Sequence, residues 1–487
     1  MRITNSMMLN TNKSNRNANK LTMDTLSTQL ATQKKIQKPS EDPIVAIRSL
    51  RLRKSVSELE QYYEKNIEDA QSWLEVTESS IKNMSSILQS MYYDCTKGAN
   101  GDLSSKERSA ILEDLDALCS EYFKEGNTTY AGRTIFTGYK TDKSFTFLEG
   151  DAEASYQISE TFKVGDIKSN KYVSQKVTVD AGNLQSIAAA DTPQINEVYS
   201  FSLAYTGVGT FNSLSYTATD GTQQEITVTT YAKASDQAYL NVPADGAVFI
   251  AETSEIIFGS DVSDTLKNLG SDAGLTANYN KTGFNTGDVN PVFYFDCVDL
   301  NTNVTYTKED QAMEYQVTQN QYLKVNTQAD EVLDLNVLKD IRRLRDTITS
   351  VQDIEKKVTQ LENMQKSSLY SDDEKTSIAS MLEAANKELD LQKSIMQGLF
   401  EAGVDDFQEY QDNVEVQRTD LGNRDARLTM IKERTSQQLT TFNELLTNNE
   451  DVNLSDIILN SSAAKYAYQL SLQAEGNIGQ LSLLNYI

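Results

Sequence analysis

Residues 453–487 read NLSDIILNSSAAKYAYQLSLQAEGNIGQLSLLNYI. Within them Leu459, Ala463, Ala467, Leu470, Ala474, Ile478 and Leu481 follow at steps of three and four, which places them on one face of a helix. Leu459, Leu470 and Leu481 stand eleven apart, so the stripe holds its direction over the whole run. The face is rich in small residues, and the run finishes on Leu483-Leu484-Asn485-Tyr486-Ile487, apolar where chain ends usually fray into polar residues. A helix with that face needs a partner, and the rest of the chain has to be read for one.

At 487 residues the chain exceeds a single core and predicts two to four domains. It is 39% hydrophobic and 24% charged, the balance of a folded, soluble protein. Asp and Glu outnumber Lys and Arg by 70 to 45, a formal charge of −25, which argues against nucleic acid as a partner because phosphates need a basic surface. The charge is uneven. Residues 1–54 carry eleven Lys or Arg against Asp24, Glu41 and Asp42, which leaves the remainder near −33. A basic arm on an acidic body can pair with acidic neighbours or simply stay a solvated tail.

Histidine is absent, which removes Ser-His-Asp and Cys-His nucleophiles, the HExxH zinc helix and most histidine-containing metal sites. Cys95, Cys119 and Cys297 are isolated singles that form neither a CxxC motif nor a disulfide framework, so buried free thiols are expected. No apolar run is long enough to span a membrane, and residues 1–19 are too polar for a secretory signal. These rules alone predict a cytosolic protein with no cofactor.

The five prolines, at 39, 43, 193, 243 and 291, leave residues 44–192 and 292–487 free for long helices. Met23, Leu26 and Leu30 suggest a short amphipathic helix, ended by Lys38-Pro-Ser-Glu-Asp-Pro43. Ser40 suits the N-cap of the next helix, with Glu41 and Asp42 at the positive end of its dipole and Pro43 in its first turn. Val56, Leu59, Tyr63, Ile67, Ala70, Leu74, Thr77, Ile81, Met84, Leu88 and Met91 then predict one helix from Glu41 to about Tyr93. Asn100-Gly101 ends it, and Ser104 with Glu107 forms a capping box for a helix to about Glu125, with Ile111, Leu115 and Leu118 facing inward.

From Thr128 to about Val325 the pattern is that of strands and turns, and most of the 22 glycines fall between 126 and 287. Residues 214–228 read as two strands around Asp220-Gly221, and 292–298 with 304–306 as a second hairpin. Asp299, Asn301 and Asn303 match the first half of a calcium loop, but Val304 and Asp310 occupy the places of its Gly and Glu, so an Asn-rich turn is the expectation. Carboxylates such as Asp245, Glu252, Glu255 and Asp261 form no catalytic constellation in the sequence.

Helical pattern returns after Val325. Val351, Ile354, Val358 and Leu361 make one stripe, Ser371 with Glu374 caps a helix through Met381 to Met396, and Val414, Leu421, Leu428, Thr435 and Phe442 fall seven apart. Ile431, Leu439 and Leu445 support that seam. Asn448-Asn449 interrupts it and Asn453 restarts the terminal helix as an N-cap. The two ends thus mirror each other, and the economical fold is mostly α with an inserted β domain: a long antiparallel helical rod from N- and C-terminal segments, with a β-rich middle domain projecting from it. Its expected core includes Leu59, Tyr63, Leu74, Ile81, Leu88, Leu421, Leu428, Ile431 and Phe442.

Met1-Arg-Ile-Thr-Asn-Ser6, Lys35-Ile-Gln-Lys-Pro-Ser-Glu-Asp-Pro43, Leu59-Glu-Gln-Tyr62, Asn66-Ile67, Trp73-Leu74 and Gly132-Arg133 with Ile135-Phe-Thr-Gly-Tyr-Lys-Thr141 resemble the flagellin superfamily of bacterial flagellar axial proteins. More narrowly they are similar to its third hook-associated type, the junction subunits between hook and filament. Leu421-Gly-Asn-Arg424, Leu428, Asp451-Val-Asn-Leu454 and Leu481-Ser-Leu-Leu-Asn-Tyr-Ile487 resemble the same family's other end. The likeness covers 1–147 and 414–487. The middle domain and the helices from about 335 to 410 fall outside it.

The resemblance implies a structural subunit, not an enzyme, that is exported to the extracellular flagellum without a cleaved signal, which reverses the cytosolic expectation. It implies outer terminal segments that are largely disordered in the free subunit and become helical on assembly, packing with neighbours around the central channel. Its expected divisions are 1–40, an axial segment; 41–147, the first half of the rod; 148–327, the variable domain; 328–450, the second half with extra helices; and 451–487, the axial helix. Implied partners are neighbouring copies, an adjacent hook-associated protein on the hook side, flagellin on the filament side and an export chaperone, with neither nucleic acid nor membrane. The assembly interface would be Met23, Leu26 and Leu30 with Leu459, Ala463, Ala467, Leu470, Ala474, Ile478 and Leu481. A filament flagellin is the nearest alternative, although flagellins carry an Ala-rich break where this chain has Pro39-Ser40-Glu41-Asp42-Pro43. A secreted protein with an activity in its middle domain is the other.

Overall fold

The computed structural model describes residues 5–101, 103–180, 184, 186–188, 191–218 and 221–484, with backbone alone at Asn5 and at 478–484. The helices in chain order are α1 (Asn5–Thr32), α2 (Pro43–Gln61), α3 (Ile67–Gly98), α4 (Ser105–Glu125), α5 (Asp236–Leu240), α6 (Ser260–Leu269), α7 (Ala329–Val332), α8 (Asn336–Lys366), α9 (Asp372–Glu450) and α10 (Leu454–Leu484). Long N- and C-terminal helices therefore flank a β-rich centre. The chain forms two compact units, one of Met1–Gln71, Tyr315–Leu323 and Ala426–Ile487, the other of Ser72–Glu314 and Lys324–Asp425.

In the first unit α1 is a 28-residue helix, far longer than the short one its apolar residues suggest. The cap of α2 is Asp42, not Ser40: its carboxylate accepts from Ile44 N at 3.0 Å and Val45 N at 3.1 Å. Pro43 fixes that choice, because a ring without an N–H fits the first helical position and makes the preceding residue the cap. The long helix expected from Glu41 to Tyr93 is interrupted by a π turn at Tyr62–Asn66. There Asn66 Nδ2 donates to Gln316 O at 2.8 Å, and Gln316 Nε2 reaches Tyr62 Oη at 3.5 Å, so the residues around the turn hold the segment Tyr315–Leu323. Widened turns of this kind free backbone and side-chain positions for such contacts. Opposite α2 and the start of α3, the end of α9 runs antiparallel, with Lys432 Nζ 2.6 Å from Glu68 and 2.9 Å from Gln71 Oε1. Leu428, Ile431 and Thr435 are buried along it, and Thr435 returns its hydroxyl to Ile431 O.

In the second unit Trp73, Leu74, Ile81, Met84, Leu88 and Met91 are buried along α3. It runs antiparallel to α9: Ser85 Oγ donates to Glu415 at 2.6 Å, and a Cβ on Gly98 would fall 2.3 Å from the Phe400 ring. The loop into α4 closes around Arg108, which donates to the carbonyls of Gly98, Asn100 and Leu103. A buried guanidinium thus satisfies the orphan acceptors at the negative end of a helix. The capping box of Ser104 and Glu107 starts α4 as expected. Its inward residues are Leu112, Leu115 and Cys119, whereas Ile111 and Leu118 are only half-buried.

The strands are β1 (Thr129–Tyr130), β2 (Arg133–Thr134), β3 (Asp151–Lys163), β4 (Lys168–Ser174), β5 (Gln194–Ser202), β6 (Val208–Thr217), β7 (Gln223–Tyr231), β8 (Gly246–Ile250), β9 (Glu255–Phe258), β10 (Gly274–Phe284), β11 (Asp296–Asp299), β12 (Val304–Tyr306), β13 (Glu314–Thr318) and β14 (Gln321–Lys324). Ten of them form one sheet in the order β12-β11-β3-β10-β6-β7-β8-β9-β5-β4, antiparallel except for β7 beside β8. The hairpin of β6 and β7 lies where Asp220-Gly221 predicts it, with Gly221 at φ +83°; Asp220 itself is outside the described residues. The second hairpin is shorter than expected. Pro291–Phe293 is a 3-10 turn set by Pro291, and only 296–299 pairs with 304–306.

Helix α8 is tied to this sheet by a buried ion pair, Lys339 Nζ to Glu160 Oε1 at 2.9 Å. The other carboxylate oxygen accepts from Tyr279 Oη at 2.7 Å and Ala204 N at 2.9 Å, and Lys339 also lies over the Phe201 ring. Every polar atom of the pair is thereby partnered, as burial requires. Farther along, Ile354, Val358 and Leu361 pack with Ile378, Met381 and Ala385 of α9. That helix begins at the expected Ser371–Glu374 box but does not end near Met396: it continues unbroken to Glu450.

Candidate assembly surface

Two breaks in the helices lie side by side in the first unit. Residues 33–42 join α1 to α2, and 451–453 join α9 to α10, where Asn453 Oδ1 accepts from Ser455 N at 3.1 Å. Gln33 turns the chain out of α1 with a left-handed backbone, φ +59°, and its carbonyl accepts from Val452 N at 3.1 Å. Lys35 N donates to Glu450 O at 2.7 Å, so that Lys34 and Asp451 form a one-residue antiparallel bridge.

Side chains close this junction. Glu450, buried at the last turn of α9, receives Arg53 Nε at 2.6 Å and Nη2 at 2.7 Å, and Lys34 Nζ at 3.3 Å. Lys34 also pairs with Asp451, and Asn449 Nδ2 donates to Val45 O and to Ser49 Oγ. The Arg53 guanidinium, opposed by burial and aided by Lys34, pulls the Glu450 carboxyl down to about 2. The same contacts raise Lys34 and Arg53 above their ordinary values, through Asp451 and Glu450 respectively. The sequence offered a signal for this cluster, cations at one break and carboxylates at the mirrored one, although not the pairing itself.

From the junction α1 and α10 run antiparallel, with Arg16 Nη1 bonded to Glu475 at 2.8 Å. Apart from Gln29, the less exposed positions of α1 are Leu9, Asn12, Arg16, Asn19, Met23, Leu26 and Leu30, at heptad spacing. Met23, Leu26 and Leu30 thus belong to the line on α1 that shields itself within the chain. On α10 the corresponding line is Ile457, Ser461, Ala464, Tyr468, Ser471 and Glu475, of which Ile457 alone is buried among described residues.

The apolar stripe from Leu459 to Leu481 is on another side. At 100° per residue it lies about 120° around α10 from that line. Leu459 is 70% exposed and Leu470 47%, Ala463 and Ala474 are exposed, and Ala467 is half-buried. The side chains of Ile478 and Leu481 lie outside the described residues. Ile458, Tyr466 and Leu472 add exposed apolar surface to the helix. Unlike the mixed seam with α1, this face of α10 is apolar and, among the described residues, mostly exposed.

Among the residues expected in the rod core, Leu74, Ile81, Leu88, Leu421, Leu428 and Ile431 are buried, and Leu59, Tyr63 and Phe442 half-buried. In the β domain Glu252 accepts from Ala234 N and Glu255 from Tyr239 Oη. Asp299 accepts from Asn301 N, Thr302 N and Thr302 Oγ1, so its hairpin turn employs it. A cavity of about 500 Å³ beside α8 is lined by Glu160, Asp334, Lys339 and Tyr410, but Lys339 is taken by Glu160 and Tyr410 by Asp340. Cys95, Cys119 and Cys297 are buried free thiols, and burial pushes the last two up to about 12. No helix among the described residues is long and apolar enough to cross a membrane.

Residues 3–141 match the family of the bacterial flagellin N-terminal helical region. The chain is 29% identical over 143 residues to flagellar hook-associated protein 3 of Salmonella typhimurium, covering 29% of this chain and 45% of that protein. It is 30% identical over 115 residues to flagellar hook-associated protein 3 of Escherichia coli, covering 23% and 36%. The alignments thus span less than half the length of these curated relatives. A solved flagellar hook-associated protein from Vibrio parahaemolyticus aligns with 84% of this chain and all of its own at 13% identity, with a TM-score of 0.37.

Proposed function

We propose that this chain is a structural subunit of the bacterial flagellum that joins hook to filament as a hook-associated junction protein, assembling through its terminal helices. The observation that carries the reading is the uncovered apolar stripe of α10, from Leu459 to Ala474, on a helix already paired with α1. A face of this kind has to be finished by another molecule, and repeated copies around an axis would finish it in every subunit alike. The likeness of residues 3–141 to the N-terminal helical region of flagellins, and of part of the chain to hook-associated protein 3, supports the same role.

On this reading the subunit is exported to the cell exterior without a cleaved signal and has no enzymatic activity. It meets neighbouring copies of itself, an adjacent hook-associated protein on the hook side and flagellin on the filament side, and an export chaperone covers its C-terminal helix beforehand. Met23, Leu26 and Leu30 stiffen the helix pair, and Leu459, Ala463, Leu470 and Ala474 meet the neighbours. Electron microscopy of a deletion strain tests the role. Bare hooks with flagellin released to the medium are expected; missing filaments with no flagellin made would point to a filament flagellin instead.

A further inference from the structure

Strands β4 and β5 are antiparallel neighbours whose last pair is Ser174 with Gln194, so a tight turn of about two residues would join them. The chain instead inserts residues 175–193, of which no described residue belongs to a strand or an α-helix. Connections this long without secondary structure are uncommon in compact domains and usually have a function of their own. Both ends leave the sheet at one point. Gln175 turns the chain out with a left-handed backbone, φ +56°, and its N–H is held by Asp236 at 2.7 Å.

The segment runs to the far ends of α8 and α9. Val177 is buried there in a cluster with Val358, Leu361, Met364, Ile378, Met381 and Ala385, and Val179, Leu184 and Ile187 pack against the same cluster. Among the described residues the cluster contains nothing from the sheet, so the segment is the third wall of a core that two helices leave open.

Its polar anchors come from α9. Val177 N donates to Glu388 Oε2 at 2.9 Å, Ile187 N donates to Ser380 Oγ at 3.1 Å, and Thr192 Oγ1 accepts from Lys387 Nζ at 2.9 Å. Glu388 is 1% exposed, and Lys357 Nζ lies 3.0 and 3.1 Å from its two oxygens. A charged pair returns to water at less cost than an apolar seam of the same size, so the site is suited to being uncovered. Side chains of the helix bond the segment's backbone while the apolar cluster selects its side chains, the two parts of peptide recognition. We propose that α8 and α9 form a peptide-binding groove over 354–364 and 378–388, that residues 177–187 fill it as a detachable strap, and that with the strap withdrawn it takes the same segment of a second copy of this chain. The second copy presents the same N–H groups and apolar side chains, on an arm whose two ends leave the sheet together. Only the tether favours the chain's own segment.

The full chain carrying Val177→Asp and Leu184→Asp tests the groove, with a synthetic peptide of residues 175–193 as the probe. The two new carboxylates expel the strap, so this variant is expected to bind the peptide at least about tenfold more tightly than the unsubstituted chain, in which the tethered strap competes. A peptide with the same two changes is expected to bind neither chain. Equal affinity, no binding by a variant whose β5 and β9 amides exchange as before, or binding of the altered peptide would each overturn the groove. Ser186→Cys with Ser380→Cys leaves the strap in place and puts thiols where hydroxyls stand 3.1 Å apart. Oxidation of this pair is expected to slow hydrogen exchange at the Val177 amide at least about tenfold, and equal rates in the reduced and oxidised forms would show that the strap does not detach. An equimolar mixture of the two single-cysteine chains is expected on oxidation to give more covalent dimer than either chain alone; no excess would overturn the second copy as the occupant. None of these outcomes depends on whether the chain is a junction subunit.

Discussion

Arg53 and Glu450 are 397 positions apart in sequence and meet as a bidentate pair, Nε to Oε1 at 2.6 Å and Nη2 to Oε2 at 2.7 Å. Fork-on-fork pairing fixes orientation as well as distance, and the Glu450 carboxylate is shielded from solvent while the Arg53 side chain stays largely exposed.

The first expectation concerns pH. The Glu450 carboxyl titrates at about 2 in the folded chain against an ordinary value of 4.5. A lowered value means that its stabilisation is fully present above about 4.5 and is lost as pH falls toward 2. The contribution of the Arg53–Glu450 pair to stability, read as the difference in unfolding free energy between the unsubstituted chain and Glu450→Gln, should therefore hold from pH 8 down to pH 5 and fade between about 4 and 2. A loss centred near pH 6 would contradict the assignment.

Leu459 and Leu470 provide the second. Changing both to Ser removes apolar atoms from solvent-facing positions, so the unfolding free energy should move by no more than about 0.5 kcal/mol. Complementation of a deletion strain with this double variant should nevertheless leave hooks bare. Normal filaments would remove α10's outer stripe from the assembly surface.

Core packing gives the third. Leu74 and Leu428 are both 1% exposed, and truncation of either to Ala should cost about 2–5 kcal/mol in denaturant unfolding, the range for a large buried side chain cut to Ala. A change below about 1 kcal/mol at either position would show that its helix pairing is not part of the cooperative core.

The buried pair of Lys339 and Glu160 gives the fourth. Lys339→Met strands a carboxylate among Phe162, Phe201 and Tyr279 and should destabilise the unit by about 3–5 kcal/mol. Adding Glu160→Gln should recover part of that loss, since an amide costs less to bury than an unpaired charge. No recovery would mean that packing, not charge, holds α8 to the sheet.

What could be read from the sequence was local. The boxes at Ser104–Glu107 and Ser371–Glu374, the cap at Asn453 and the Asp220-Gly221 turn each depend on residues a few positions apart, and the structure has helix starts and a hairpin at those places. The cap of α2 was displaced by two residues because Ser40 and Asp42 are equally good acceptors and Pro43 alone discriminates between them. The π turn at Tyr62–Asn66 could not be seen, since the stripe from Val56 to Ile67 fits an uninterrupted helix equally well. Strand order was out of reach for a different reason: β3 lies between β10 and β11 through pairings more than 100 residues apart, which no local periodicity encodes. At the assembly surface the stripe of α10 was legible as apolar, but the line facing α1 was not, because Ser461, Ser471 and Glu475 do not read as a contact face.

The order in which the chain is made has a bearing on the pairing of Arg16 with Glu475 and of Lys34 with Asp451. A ribosome delivers α1 and α2 long before it delivers the end of α9 and α10. For nearly the whole of synthesis the first 61 residues have no partner from the first unit's C-terminal half. Contacts so distant along the chain form late, so these pairings wait until the carboxyl-terminal residues arrive to complete the unit.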